Sequence, residues 1–216
     1  MIKKYKNILF DMDGVLINSM KYHTTAWQHA FKQNNISTTD KKIMELAGMT
    51  SIDTIKIICK DNKIKYNDTL ITKIKSDKAK ELDKIFRVEL YDGVYEELIK
   101  LKKNNYKLAL ISGARNYEVQ KTVKTHFKNI FDLVISGDDI KLGKPNPEPY
   151  QTAINKLNLN KKETVVIEDA LSGIQSANSA GIDVLAITTS FPKKELLNAT
   201  LIFNNHKELF DYLNQN

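Results

Sequence analysis

The amino-acid sequence predicts an α/β fold: a parallel β-sheet covered by helices on both faces, with an all-helical cap inserted near the start of the chain. Two observations carry this prediction. Short apolar runs alternate with amphipathic segments along most of the 216 residues, as in a parallel sheet whose strands are joined by helices. Between about residues 21 and 86 the alternation stops, because helical segments follow one another with no convincing strand between them.

The predicted strands are short, continuous apolar runs, as expected for strands that are buried on both faces. They comprise residues 8–10, 108–111, 133–135, 164–167 and 184–187. A sheet of this kind is Rossmann-like, and its ligands gather beyond the carboxyl ends of its strands. The residues just after each strand are therefore the first candidates for a functional site.

Four amphipathic segments supply the helices of this core, at residues 94–103, 116–127, 147–157 and 171–180. The first carries Val94, Leu98 and Leu101 at helical spacing. The third opens with Pro147, which suits the first turn of a helix. The last is followed by Gly181, which suits a helix end.

Three further amphipathic segments, at residues 22–32, 50–60 and 68–86, are predicted to enclose a small core of their own. The single cysteine, Cys59, continues the apolar stripe of Ile55 and Ile58, so we interpret it as a packed core thiol. We assign residues 17–87 to the cap and residues 1–16 and 88–216 to the α/β core. Linkers near residues 16–19 and 87–92 would let the cap swing.

Composition argues against several other classes of protein. The formal net charge is +7, but the lysines are spread along the chain among acidic residues, and no array of basic and aromatic residues suggests a nucleic-acid partner. Nothing approaches the ~18 consecutive apolar residues of a membrane span. The segment before the first strand lacks the apolar core of a secretory signal. We expect a cytoplasmic protein, a monomer or a weak homo-oligomer.

Charged and polar residues come after the predicted strands at the points where ligands are expected. They are Asp11 and Asp13, then Ser112, Gly113, Arg115 and Asn116, then Lys144 after a short loop, and finally Glu168 and Asp169. Because the carboxyl ends of parallel strands meet at one edge, these side chains should lie close together. Carboxylates can hold a hard cation, while a hydroxyl, N–H groups and a lysine can hold phosphate oxygens.

Each of these residues also has a purely structural interpretation. Ser112 suits a turn, and Asn116 suits the N-cap of the next helix. Lys144 lies in Lys-Pro-Asn-Pro-Glu-Pro, where a solvated loop lysine is the ordinary expectation. Glu168 and Asp169 could place negative charge at a helix N-terminus. The order of the four positions along the chain favours phosphoryl-transfer chemistry over these separate explanations.

Asp-Met-Asp-Gly-Val-Leu, Ser112, Lys-Pro-Asn-Pro and Glu-Asp, in this order at these strand ends, resemble the four motifs of the haloacid dehalogenase-like superfamily. The resemblance covers essentially the whole chain. It implies that Asp11 is a nucleophile that forms an aspartyl-phosphate, and that Asp13 is the general acid/base. It also implies that Ser112 and Lys144 bind the phosphoryl group.

The same resemblance implies a Mg²⁺ ion held by Asp11, the backbone carbonyl of Asp13 and Asp169, with Glu168 as a further ligand or an acid behind the others. Asp13 also separates subgroups, because the true dehalogenases of the superfamily lack this acid. A halide leaving group needs no proton donor, whereas an ester oxygen does. We therefore expect phosphate chemistry and a small phosphorylated metabolite as the partner.

Within the superfamily, Asp-Gly-Val-Leu-Ile-Asn-Ser together with Tyr-His-Thr-Thr-Ala-Trp is similar to the β-phosphoglucomutase and sugar-phosphatase branch. This similarity implies that His23 lies in the active site near the hinge. A polar residue on the first cap helix is the alternative. Arg115 and Asn116 match positions that hold a second phosphate in mutases.

The cap departs from the mutase pattern. A mutase would carry a lysine just before Gly48 and an arginine three residues after it, whereas this chain has Ala47 and Ser51. Serine cannot replace the bidentate grip of an arginine on phosphate. Gly48, Met49 and Thr50 are expected in the cap loop that faces the site. We therefore expect a phosphatase acting on a sugar or polyol phosphate. A β-phosphoglucomutase-type mutase is the alternative, and a non-catalytic phosphate-binding protein is a remote third.

Overall fold

The structure is a computed structural model that describes residues 4–215, so residues 1–3 and 216 of the predicted core segments lie outside the described residues. A six-stranded sheet, parallel throughout, forms its centre, in the order β3-β2-β1-β4-β5-β6. The strands are β1 (Asn7–Phe10), β2 (Lys107–Ile111), β3 (Leu133–Ile135), β4 (Thr164–Glu168), β5 (Asp183–Ile187) and β6 (Leu201–Phe203). The predicted fold class is confirmed, because all five predicted strands are present within one residue of their expected bounds.

Four consecutive helices come after β1 with no named strand among them. They are α1 (Met20–Gln33), α2 (Asp40–Glu45), α3 (Ser51–Asp61) and α4 (Asp68–Ile85). Their apolar stripes enclose a separate hydrophobic core, in which the rings of Trp27 and Phe31 stack at 5.3 Å and Cys59 is fully buried. This helical unit is the cap predicted from the sequence, and the thiol lies in its core as expected.

Five helices cover the sheet. They are α5 (Val94–Lys103), α6 (Asn116–His126), α7 (Glu148–Leu157), α8 (Leu171–Ala180) and α9 (His206–Gln215). Alternate residues of β1 point to opposite faces: Ile8 and Phe10 pack in the cluster that contains residues of α5, α6 and α9, while Leu9 packs in the cluster of α7 and α8. The sheet is thus buried on both sides, which explains its continuous apolar strands.

Three elements were not predicted. Helix α2 spans only six residues, and β6 is a three-residue edge strand whose residues are partly exposed, so neither leaves a strong apolar period in the sequence. Helix α9 does leave such a signal, since Leu209 and Phe210 lie about one helical turn before Leu213 and all three are buried. Three short 3₁₀ segments complete the described elements.

The two linkers between the cap and the core are paired with each other. Ile17 and Leu90 form an isolated antiparallel bridge. The N–H of Asn18 donates to the Glu89 carbonyl at 2.7 Å, and that of Tyr91 donates to the Leu16 carbonyl at 3.2 Å. The chain therefore enters and leaves the cap at one place. Within the described residues, no helix is long and apolar enough to cross a membrane.

Candidate active site

The carboxyl ends of β1, β2 and β4 bring the predicted acids and Ser112 to one edge of the sheet. Because β1 lies between β2 and β4, Asp11 at the end of β1 is flanked by Ser112 on one side and by Glu168 and Asp169 on the other. These four residues are all at most 4% exposed. Their burial matters, because buried carboxylates need partners to remain charged.

Lys144 reaches this cluster from the loop before α7. Its Nζ donates to Asp11 Oδ1 at 2.5 Å, to Glu168 Oε1 at 2.7 Å and to the Ile111 carbonyl at 3.2 Å. Burial by itself favours a neutral amine, but the charges of Asp11 and Glu168 hold the pKa of Lys144 above its ordinary value. The side chain is 1% exposed, which excludes the alternative of a solvated loop lysine. All three ammonium protons are engaged.

Asp11 and Asp169 carry more negative charge than Lys144 can balance. Burial raises the pKa of Asp11, with Lys144 opposing the rise and Glu168 adding to it. Burial and the charge of Glu168 likewise raise the pKa of Asp169. One oxygen of Asp169 accepts from the Ser190 hydroxyl. Its Oδ1 is buried, and no donor among the described residues reaches it.

This arrangement fits a hard divalent cation. Oxygens of Asp11, Glu168 and Asp169 lie within 4.8 Å of one another, and Asp169 Oδ1 has a lone pair with no partner among the described residues. Oxygen-rich, anionic sites of this kind suit Mg²⁺. Gly14 permits the close approach, because a Cβ at its φ of +84° would lie 1.8 Å from Asp169 Oδ2.

Glu168 differs from Asp169, because protein groups donate hydrogen bonds to both of its carboxylate oxygens. Oε1 accepts from Lys144 Nζ and from the Tyr150 hydroxyl, each at 2.7 Å. Oε2 accepts from the backbone N–H groups of Asp169 at 3.1 Å and Ala170 at 3.3 Å. Glu168 thus holds Lys144 and the loop that carries Asp169. Of its two predicted roles, this geometry favours an acid that supports the candidate metal ligands without binding the ion itself.

Asp13 lies beside Asp11 but in a different set of contacts. Its Oδ1 accepts from Ser19 Oγ at 2.5 Å and from His23 Nε2 at 3.1 Å, and Ser112 Oγ lies 3.4 Å from Oδ2. Burial favours the neutral acid, but His23 and Ser19 outweigh it and hold the pKa of Asp13 below its ordinary value. The two acids therefore differ in protonation preference, because the pKa of Asp11 is raised and that of Asp13 is lowered. A cation bound beside Asp11 would favour its ionised form.

Lys78 of α4 is a site residue that our sequence analysis did not identify. It is 5% exposed, its Nζ lies 3.2 Å from His23 Nδ1, and it sits 5.5 Å from the centre of the Trp27 ring. Burial lowers the pKa of Lys78, although Glu118 and Asp13 oppose the change. A signal was present in the sequence: Lys78 continues the stripe of Ile74 and Leu82 along the buried face of α4.

A cavity of about 60 Å³ lies between the acids and the cap. Its lining residues from the core include Asp11, Asp13, Gly113 and Asp169, and those from the cap include His23, Gly48, Ser51 and Lys78. Trp27, Ile43, Leu46 and Met49 make the cap side largely apolar. The volume is well below the roughly 300–1,000 Å³ of pockets that enclose drug-sized ligands. A substrate larger than a phosphate must therefore displace the cap to enter.

The cap is closed onto the core in this structure. The Ser172 hydroxyl at the start of α8 donates to the Ala47 carbonyl in the cap loop, and this contact is buried. At the other side, Arg115 of the core lies 3.3 Å from Asp83 of α4. The loop of Ala47 and Gly48 thus lies directly over the acids.

Four predicted substrate-binding residues do not line the cavity: Ser112, Lys144, Arg115 and Asn116. Ser112 and Lys144 contact the acids that line it, whereas Arg115 and Asn116 have other partners. The Arg115 guanidinium is paired with Glu118 at 2.6 Å as well as with Asp83. Asn116 is exposed, and its backbone N–H donates to Asp138 Oδ2 at 2.8 Å. The proposed N-cap position was off by one residue, because α6 is capped by Arg115 and begins at Asn116.

Comparison with known proteins agrees with this architecture. The family model of the haloacid dehalogenase-like hydrolases matches residues 8–187. The chain is 29% identical to validoxylamine A 7′-phosphate phosphatase of Streptomyces hygroscopicus subsp. limoneus, over 95% of this chain and 96% of that protein. It is 30% identical to a phosphorylated carbohydrates phosphatase of Thermotoga maritima, over 82% of each chain. A candidate β-phosphoglucomutase of Bacteroides vulgatus has the same fold, with a TM-score of 0.90 and 30% identity, over 98% of this chain and 88% of that one.

Proposed function

The chain belongs to the haloacid dehalogenase-like hydrolases and is a phosphoric monoester hydrolase, and from this premise we propose that it hydrolyses a small sugar or polyol phosphate with Mg²⁺, through an aspartyl-phosphate on Asp11. One observation carries the proposal. Asp11 accepts a hydrogen bond from Lys144 at the edge of the sheet, whereas Asp13 beside it accepts hydrogen bonds from Ser19 and His23. The two carboxylates are thereby prepared for different tasks.

In the first half of the reaction, the carboxylate of Asp11 attacks phosphorus and the ester P–O bond breaks. Lys144 offsets the charge that would otherwise repel an anionic substrate from an anionic nucleophile. Asp13 gives a proton to the departing oxygen. The incoming phosphoryl group favours protonation of Asp13, because a second negative charge nearby raises the pKa of a carboxyl group.

In the second half, Asp13 acts as the base. As a carboxylate it takes a proton from water, the water oxygen attacks phosphorus, and the bond to Asp11 breaks to release phosphate. The donors from Ser19 and His23 favour the ionised form that this step requires. The Ser112 hydroxyl and the N–H groups of the loop at Gly113 are suited to hold the phosphoryl oxygens.

Mg²⁺ would be held by Asp11, Asp169 and the backbone carbonyl of Asp13, with Glu168 behind them. When bound, the ion neutralises phosphoryl oxygens and so favours attack by an anionic carboxylate. The buried oxygen of Asp169 that lacks a donor among the described residues supports this assignment.

We propose hydrolysis rather than mutase activity because the described cap residues offer one lysine at the cavity, Lys78, and no arginine clamp for a second phosphate. Ala47 and Ser51 line the cavity where cations would be needed, and Arg115 is tied to Glu118 and Asp83. A mutase must keep its bisphosphate intermediate while the intermediate turns around. The similarity to a candidate β-phosphoglucomutase keeps that activity as the second candidate.

We further propose that residues 17–87 move as a cap, opening to admit substrate and closing to control water. The paired linkers around Ile17 and Leu90 are the natural hinge. The small volume of the closed cavity supports the need for such an opening.

The decisive experiment measures phosphate release with Mg²⁺ from a panel of sugar, polyol, nucleotide and glycolate phosphates. We expect turnover of at least one sugar or polyol phosphate, and none in the Asp11→Asn variant. Conversion of β-glucose-1-phosphate to glucose-6-phosphate faster than phosphate appears would favour the mutase. Phosphate binding without turnover of any ester would favour a non-catalytic binding protein.

A further inference from the structure

Tyr150 is a fully buried residue of α7 that lies next to the site without lining the cavity. Its ring packs in the core cluster of α7, α8 and the sheet. Its hydroxyl donates to Glu168 Oε1 at 2.7 Å. A phenylalanine would fill the same apolar space, so the hydroxyl must be explained by the carboxylate that it meets.

Among the described residues, Lys144 and Tyr150 are the donors to Glu168 Oε1, and the oxygen is tightly enclosed. The side chain of Glu168 is 1% exposed, and Gly173 packs so closely that a Cβ there would lie 1.8 Å from Oε1. Oε1 therefore has two donors, Tyr150 and Lys144, and both belong to the protein. If one donor leaves, only the other keeps this buried oxygen satisfied.

Lys144 is the donor that has to leave. An ammonium group has three protons, and those of Lys144 go to Asp11, Glu168 and the Ile111 carbonyl. A phosphoryl oxygen can be bound only if one of these acceptors is given up. Asp11 and the Ile111 carbonyl have no second side-chain donor among the hydrogen bonds of the described residues, whereas Glu168 Oε1 has Tyr150.

We propose that Tyr150 is a positioning residue for phosphoryl binding: its hydroxyl holds Glu168 while Lys144 turns from Glu168 to a phosphoryl oxygen. The inference rests on the proposed function for its substrate class. Without the hydroxyl, a buried carboxylate with no other donor at Oε1 competes with phosphate for Lys144. Hydrogen bonds to charged groups are strong enough for their loss to weaken phosphate binding about tenfold.

Tyr150→Phe tests this proposal, because it removes the hydroxyl and keeps the ring. Tyr5→Phe is the matched control. Tyr5 is also buried, and it donates to a carboxylate, Asp183 Oδ2 at 2.9 Å, but at the amino end of the strands, away from the site. Each variant loses one tyrosine–carboxylate hydrogen bond, and thermal unfolding measures the stability that each loses. The loss should be larger for Tyr150→Phe, because Glu168 is buried whereas the side chain of Asp183 is 42% exposed.

The measurement is calorimetric titration of inorganic phosphate into the Mg²⁺-loaded protein, together with steady-state kinetics on a hydrolysed ester. We expect Tyr150→Phe to raise the phosphate Kd and the substrate KM about tenfold, with little change in kcat, and Tyr5→Phe to leave all three near the wild-type values. Equal phosphate affinity in the two variants would overturn the proposal. A fall in kcat at unchanged KM would do so as well, since it would place the hydroxyl in the chemical step.

The two proposals fail in distinguishable ways. If the wild-type protein binds phosphate but hydrolyses no ester, the proposed activity is lost, and a tenfold difference in Kd still supports the role of Tyr150. If the wild-type protein binds no phosphate, the role assigned to Tyr150 is overturned with the phosphate site itself.

Discussion

The Nζ atom of Lys78 lies 3.2 Å from Nδ1 of His23, although the two residues come from different cap helices. Because the ammonium group can only donate, Nδ1 accepts and the proton of a neutral imidazole resides on Nε2, which lies 3.1 Å from Asp13. The contact thus favours Nε2 as the atom of His23 that donates to Asp13, the proposed acid/base. It also places a buried cation at the cap side of the cavity.

Replacing Lys78 by methionine should test the role of its ammonium group beside His23, because methionine keeps most of the volume of the side chain. Methionine fills similar space, but it leaves the carboxylates of Glu118 and Asp13 without one of their counter-charges. The free energy of unfolding should therefore fall by about 1–3 kcal/mol. The kcat/KM should fall about ten- to a hundredfold, as expected for the loss of a charged hydrogen-bond donor. Lys80→Met, at an exposed position of the same helix, is the control. Wild-type kcat/KM in the Lys78 variant would exclude a role for this lysine.

Asp11→Asn should abolish turnover, because an amide cannot form the aspartyl-phosphate. We expect a loss of at least about 10³-fold in phosphate release with Mg²⁺, with a cooperative unfolding transition retained. Asp211→Asn, in the exposed pair with Lys207, controls for the same chemical change on the surface. Substantial Mg²⁺-dependent activity in the Asp11 variant would assign the nucleophile elsewhere.

Asp13→Ala should slow both formation and hydrolysis of the aspartyl-phosphate, because one residue serves as acid and then as base. Single-turnover kinetics with a sugar phosphate can resolve the two steps. Each should be slowed about 10²–10⁴-fold, the usual contribution of general acid–base catalysis. A variant that forms the intermediate at the wild-type rate would limit Asp13 to the second step.

Ser172→Ala should shift the cap toward an open position. Ser172 makes a buried hydrogen bond from α8 of the core to the carbonyl of Ala47 in the cap. Small-angle X-ray scattering should give a larger radius of gyration for this variant than for the wild type when no phosphate is present. Ser176→Ala is the matched control, because Ser176 also donates from α8 to a backbone carbonyl, that of Asn146 at 2.6 Å, within the core. Identical scattering of both variants would argue against this contact as a latch.

Asp132 should make folding stability depend on pH in a defined sense. It is partly buried, and its contacts with Lys102 and the Leu108 N–H outweigh that burial and lower its pKa in the folded protein. A lowered carboxyl pKa stabilises the fold above the unfolded-state pKa of about 3.9, and the gain is lost as the pH falls through the folded-state pKa.

Asp132→Asn should therefore reduce the unfolding free energy by about 1 kcal/mol at pH 7, and the difference from wild type should shrink toward pH 3. Urea unfolding at pH 7, 5 and 3 measures it. Asp211→Asn, in its exposed pair, should change the unfolding free energy by less than about 0.5 kcal/mol. A constant difference across the pH range would mean that the charge of Asp132 contributes nothing.

The fold could be predicted from the sequence because nearly every strand is buried on both faces. Residues 164–167, for example, form a continuous apolar run of the length expected for a buried strand, and they are part of β4 in the structure. The edge strand β6 was not predicted, because it is only three residues long and its residues are partly exposed. The strand-end acids were predictable from topology alone, since the carboxyl ends of parallel strands lie together at one edge of the sheet.

The cap contribution to the site was harder to predict, because it depends on how helices pack. Lys78 interrupts an apolar stripe, which resembles an ordinary polar position until the partner of α4 is known. Arg115 illustrates the converse. Arg115 was predicted to bind substrate, but in the structure Glu118 and Asp83 pair with its guanidinium. The sequence alone does not show that these acids compete with a substrate for the arginine.

The pairing of Ile17 with Leu90 means that the two ends of the helical insertion lie side by side. Removing or exchanging everything between them would leave the ends of the remaining chain only a short turn apart, so the register of the six strands does not depend on the helices above them. Insertions are tolerated at such points, where the entering and leaving chains are neighbours. The paired linkers thus let most of the helical insertion diverge, provided that the contacts of Ser19 and His23 with Asp13 are kept.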